Sequence, residues 1–169
     1  MYQKRLDAIM KNDQDTRIPL ILFFCNFLEE LKTEVKKDFT DNIDISISEF
    51  VSYQVTRFRL THEQIVMAFS HILLLVDKCY GSYTEGNKYR IWLVSLMIIH
   101  KYTDDCPYSN VAWCKTTPIY TLQKINQMEL EFLKAHNYII KKDKLLYTYN
   151  DSYYTIINHI YDYIALNNE

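Results

Sequence analysis

A chain of 169 residues with 49% hydrophobic and 24% charged side chains is long enough to bury roughly two-thirds of its unfolded surface in one core, without disulfide or metal staples. Its formal charge of −2 lacks the basic footprint that displaces counterions from nucleic acid, which argues against that partner. Two glycines and three prolines are too few for the turns of a sandwich or barrel and point to long helices joined by short polar loops.

The opening MYQKRLDAIMKND has neither the apolar segment nor the cleavage site of a secretory signal, so residues 1–17 read as a leading segment and the protein is expected in the cytoplasm or nucleus. Ile21, Phe24, Leu28, Leu31 and Val35 then recur three or four apart, predicting an amphipathic helix over 18–37 that ends in Lys36 and Lys37. After the polar DFTDNID, Ser46 with Glu49 and Thr61 with Gln64 stand at capping-box spacing, so helices should start near 47 and 62. The second of these, IVMAFSHILLLVD, is apolar from Ile65 to Val76 except at Ser70 and His71. It falls short of the roughly 20 apolar residues of a membrane span and reads as a buried core helix.

CYGSYTEGN, which holds both glycines, breaks the chain before YRIWLVSLMIIHKYTDD. From Ile91 to Ile99 that segment has Ser95 as its one polar side chain. A helix apolar nearly all round is enclosed by others, so 88–103 is predicted as the central element. SNVAWCK should form one or two turns capped by Ser109, closed by Pro118, before a helix from about Thr121 that carries Leu122, Ile125, Met128, Phe132 and Ala135 at helical spacing. Residues 141–169 read as a tyrosine-rich tail in which Asp151 is expected to cap a last helix with Tyr154, Ile157, Ile160 and Ile164 on one face. Cys25, Cys79, Cys106 and Cys114 show no short paired zinc spacing and are expected as reduced packing residues.

This succession over residues 18–140 resembles the cyclin box, and most closely that of the single-box fungal phosphate-signalling cyclins and the related P- and U-type cyclins. The resemblance is carried by Arg90 opening the third helix of the box, Lys101 and Tyr102 closing it, Asn110 and Trp113 in a short fourth helix, and Asn126, Glu129, Glu131, Phe132 and Leu133 in the fifth. LLLVDK, ending the second, adds Asp77 and Lys78. No stretch resembles the substrate-docking hydrophobic patch of the cell-cycle cyclins. The resemblance implies an all-α fold: a five-helix cyclin box with flanking N-terminal and C-terminal helices.

It also implies a regulatory subunit that binds and activates the catalytic subunit of a cyclin-dependent kinase and has no chemistry of its own. In cyclins the lysine closing the third helix and the glutamate of the fifth form a charged pair that grips the kinase; by position these are Lys101 and Glu129. The implied kinase-contact set is Lys101, Glu129, Tyr102, Asp105 and Phe132. Asp104 and Asp105 read from the residues alone as solvated turn residues, and the resemblance implies instead that one of them faces a basic pocket of the kinase. The alternative is a cyclin-fold adaptor or scaffold that activates no kinase. Neither cofactor nor metal is expected: His71 and His100 have no second ligand at metal spacing, and Glu129 and Glu131, two apart, do not share a helix face. There is no phosphate-cradling glycine loop or nucleophile elbow.

Overall fold

The computed structural model describes residues 17–31, 43–78 and 83–140, and every regular element of more than one residue among them is a helix. Residues 1–16 of the leading segment, the expected helix end at Lys36 and Lys37, Cys79 and the tail with its helix lie outside the described residues, while Arg17, placed in that segment, opens the first helix. The elements are α1 (Arg17–Leu31), α2 (Ile47–Arg57), α3 (His62–Lys78), α4 (Lys88–Thr103), α5 (Asn110–Thr116) and α6 (Leu122–Ala135). Among the described residues the fold is all-α, as expected.

Three helices, α2, α3 and α6, begin where a side chain satisfies a free N–H group. At α2 the Ser46 Oγ accepts from the Glu49 N–H at 3.2 Å while the Ser46 N–H donates to Glu49 Oε2 at 2.9 Å. Glu49 carries a lowered pKa, set first by the Ser46 backbone N–H and then by its hydroxyl, both of which favour the carboxylate. Thr61 and Gln64 make the same reciprocal pair ahead of α3. Thr121 caps α6 by accepting from the Lys124 N–H. Ser109 occupies the N-cap position of α5, but its side chain makes no capping bond.

Two helices end in a left-handed turn made without glycine. Arg59 (φ 53) and Asn137 (φ 53) adopt the left-handed conformation just past α2 and α6. In each case the next residue donates back five positions, Leu60 N–H to Val55 O at 2.9 Å and Tyr138 N–H to Leu133 O at 2.7 Å, the Schellman pattern. The bend after α2 drives Leu60 into the core at 1% exposure.

α4 is the centre. Twelve of its first thirteen residues, Lys88 to His100 without Arg90, are buried, and it packs against α2, α3 and α6. The serine interruptions in the apolar helices are internally satisfied: Ser95 Oγ donates to Ala68 O across the α3–α4 contact at 2.8 Å, and Ser70 Oγ donates to Val66 O within α3. α1 lies against α2 and α3, with Phe24 stacked on Phe69 at 3.9 Å. It is also tied by Arg17 Nη1 donating to Leu60 O, and by Glu29, which meets the buried Lys88 at 3.0 Å. Lys88 reaches Glu85 as well, at 2.9 Å.

The cysteine expectation needs one correction. Cys25 is buried, and desolvation pushes its thiol well above the ordinary range; Cys114 is half-buried and points at Tyr120 O at 3.4 Å. Cys106 is exposed, because the turn after α4 is built by Asp104 Oδ1 accepting its N–H, which leaves the thiol nothing to pack against.

Candidate functional site

Ile125, Met128 and Phe132 form the buried stripe of α6, the helix that packs on α4. That packing sets the C-terminal end of α4 beside the middle of α6. Thr103 is held there from the other side, accepting from Gln64 Nε2 at 2.9 Å while donating to Ile99 O. Lys101 therefore leaves α4 from a fixed end. Its Nζ reaches Glu129 Oε1 at 2.6 Å, with the two side chains 29% and 19% exposed.

The pair is part of a larger network. Asn110, the first residue of α5, donates through Nδ2 to Glu129 Oε2 at 2.6 Å and to Asn126 Oδ1 at 2.7 Å. Both oxygens of Glu129 are thus engaged, one by an ammonium and one by an amide, so the carboxylate is held in one orientation. Because a carboxylate can only accept, it also fixes which end of Asn110 faces it. The Asn110 Oδ1 that results is buried and accepts nothing from the described residues. It is an unpaired acceptor enclosed beside a charged pair.

Asn110 and Asn126 carried the resemblance in the sequence without a role in the implied contact set. The available signal was spacing: Asn126 and Glu129 are three apart and share a helix face. The same stripe continues through Leu130, 46% exposed, and the half-buried Leu133. The network is thus flanked by apolar surface.

Of the other expected contact residues, Tyr102 is 61% exposed beside Lys101, and Asp105 is exposed in the turn. Phe132 stands elsewhere than expected. It is 4% exposed and stacked on the His136 ring at 4.3 Å, because its spacing from Ile125 and Met128 puts it on the core stripe. It supports α6 from beneath and offers almost no surface to a partner.

His100 anchors the loop next to this rim. Its Nε2 accepts the Tyr108 N–H at 3.3 Å and its ring stacks on that of Tyr108, so the ring proton sits on Nδ1, 3.8 Å from Asp104 Oδ2. Burial lowers its pKa, and Asp104 opposes the shift. His71 is buried in α3 with Nδ1 against Met67 O, and desolvation pushes its pKa down to about 4. Among the described residues no group of three His, Cys, Asp or Glu is placed to hold a metal ion. Glu131 turns away from Glu129 and accepts from Gln127 on the exposed face.

A family model described as Cyclin matches residues 10–140. The chain belongs to the cyclin family. No curated protein and no solved structure matches it. Cyclins are regulatory subunits rather than enzymes, and the helices of this cyclin follow the box in order, from α2 as the first helix to α6 as the fifth. No described helix is long and apolar enough to cross a membrane.

Proposed function

We propose that this cyclin binds and activates the catalytic subunit of a cyclin-dependent kinase through the rim formed by the end of α4 and the exposed stripe of α6. The observation that carries the reading is the Lys101–Glu129 pair, closed at 2.6 Å and braced by Asn110 before any partner is present. A preformed pair loses less freedom on binding than two mobile side chains would. The Lys101 ammonium, 29% exposed as a side chain, presents a donor to a partner's backbone, with Leu130 and Tyr102 as apolar contacts.

Activation is a shift of population. The cyclin binds the kinase conformation whose regulatory helix is turned inward, the one in which the lysine–glutamate pair that positions ATP phosphates is complete, and its leverage equals its difference in affinity for the two states. Asp105, exposed beyond α4, faces a basic pocket of the kinase in this reading. The motifs closest to it are those of the single-box phosphate-signalling cyclins.

The test is a pull-down from source cells with wild type beside a Lys101→Ala, Glu129→Ala double variant, followed by kinase assay of the eluates. Kinase activity that co-purifies with wild type and is lost with the variant supports the reading. The same partners with both proteins, none of them a kinase, would replace it with a scaffold role.

A further inference from the structure

We propose that the groove between α2 and α5 is a docking site for a short acidic peptide of a partner protein, one that carries an apolar anchor. The groove encloses about 430 Å3. Phe58 forms its floor, stacked from beneath on the buried Trp113 at 3.6 Å. One wall is Tyr53 of α2, 53% exposed, and the other is Val111 of α5, 46% exposed. Tyr108 closes the end, its ring edge-on to Phe58 at 5.2 Å and stacked on His100 at 5.4 Å. These aromatic surfaces are locked before anything binds, so an inserted side chain meets a preformed pocket.

The charge around the groove names its occupant. Arg57 and Lys115 flank it, no carboxylate lines it, and neither cation is engaged by an acidic side chain among the described residues. In a chain with a net charge of −2 this is a local positive frame around aromatic surface. The guanidinium fork of Arg57 fits a carboxylate with two parallel bonds, and Lys115 adds a mobile point charge. A leucine or aromatic side chain with aspartate or glutamate nearby satisfies both parts, whereas a basic peptide is repelled.

α5 serves two sites with two faces. Asn110 turns to Glu129, while Val111 and Lys115 turn to the groove. Docking is therefore separable from the Lys101–Glu129 pair and does not rest on kinase binding.

The experiment selects displayed random peptides on the full-length chain, then measures binding of the most enriched sequence as a fluorescein-labelled peptide. Enriched sequences should combine an apolar anchor with Asp or Glu. An Arg57→Glu, Lys115→Glu variant should weaken that peptide by about tenfold or more, and Tyr53→Ala should weaken it without a change of charge. Lys101→Ala should leave it unchanged, and thermal melting checks that each variant is folded. Absence of enrichment, selection of basic peptides, or binding indifferent to both groove variants would overturn the proposal. So would a dimer in sedimentation that the charge reversal dissociates, since that would give the groove to a second copy of the chain.

Discussion

Asn110 is the residue that turns a pair of opposite charges into a defined surface. Lys101 and Glu129 alone would resemble many half-exposed ion pairs, which contribute little because both side chains must be ordered. The amide on the second carboxylate oxygen supplies that order from a third helix. Asn110→Ala should therefore weaken partner binding by about 1–2 kcal/mol, as for a hydrogen bond to a charged group. A calorimetric double-mutant cycle with Glu129→Gln should show the two changes to be coupled rather than additive; additive losses would remove Asn110 from the site. A different residue, Arg59, carries a backbone cost. With φ 53 it lies where a Cβ is unfavourable, so Arg59→Gly should raise stability in urea by about 1 kcal/mol. Asn137, at the same φ after α6, should gain less, since asparagine tolerates this region.

Among the elements, α1 is joined to the box by apolar packing at Phe24 and Leu28 and by one buried charge contact. Burial opposes the charge on Lys88, but Glu85 and Glu29 more than compensate, and its pKa is raised overall. Lys88→Met keeps the length of the stem and removes the ammonium that Glu29 meets. It should cost about 1–2 kcal/mol and speed hydrogen exchange in α1 more than in α4 or α6; uniform exchange across the helices would show that the contact does not hold α1. Ser95 is the corresponding tie between α3 and α4. Its bond to Ala68 O was absent from the linear pattern, which showed only a polar residue within an apolar run, so Ser95→Ala should lose about 1 kcal/mol despite the gain in hydrophobicity.

Across the whole molecule, stability should depend on pH through buried histidines. His71, His62 and His100 all have pKa values lowered from 6.5, each with desolvation as the largest cause. A base with a depressed folded pKa binds its proton more readily when unfolded, so its contribution is complete above pH 6.5 and is lost as pH falls toward the folded value. For His71 the window runs from 6.5 down to about 4, with a total of about 3 kcal/mol. Around its ring lie Met67 O on its own helix and His136 from the end of α6, whose cationic form would lower the His71 pKa further. Chemical denaturation of wild type should weaken steadily through that window, and His71→Leu should flatten the slope; an unchanged slope would place the effect in the other histidines. The linear sequence by itself determined the helical class, the starts of α2, α3, α4 and α6 and the central place of α4, because caps, breaks and apolar period act within a few residues. It also carried the family through residue types in order, Lys101 and Glu129 among them. Only tertiary structure decided that Asn110 meets Glu129. It likewise decided that Cys106 is exposed and that Arg57 and Lys115 frame an aromatic groove. Those outcomes depend on which faces of distant helices meet, and that geometry arises when the helices pack around α4.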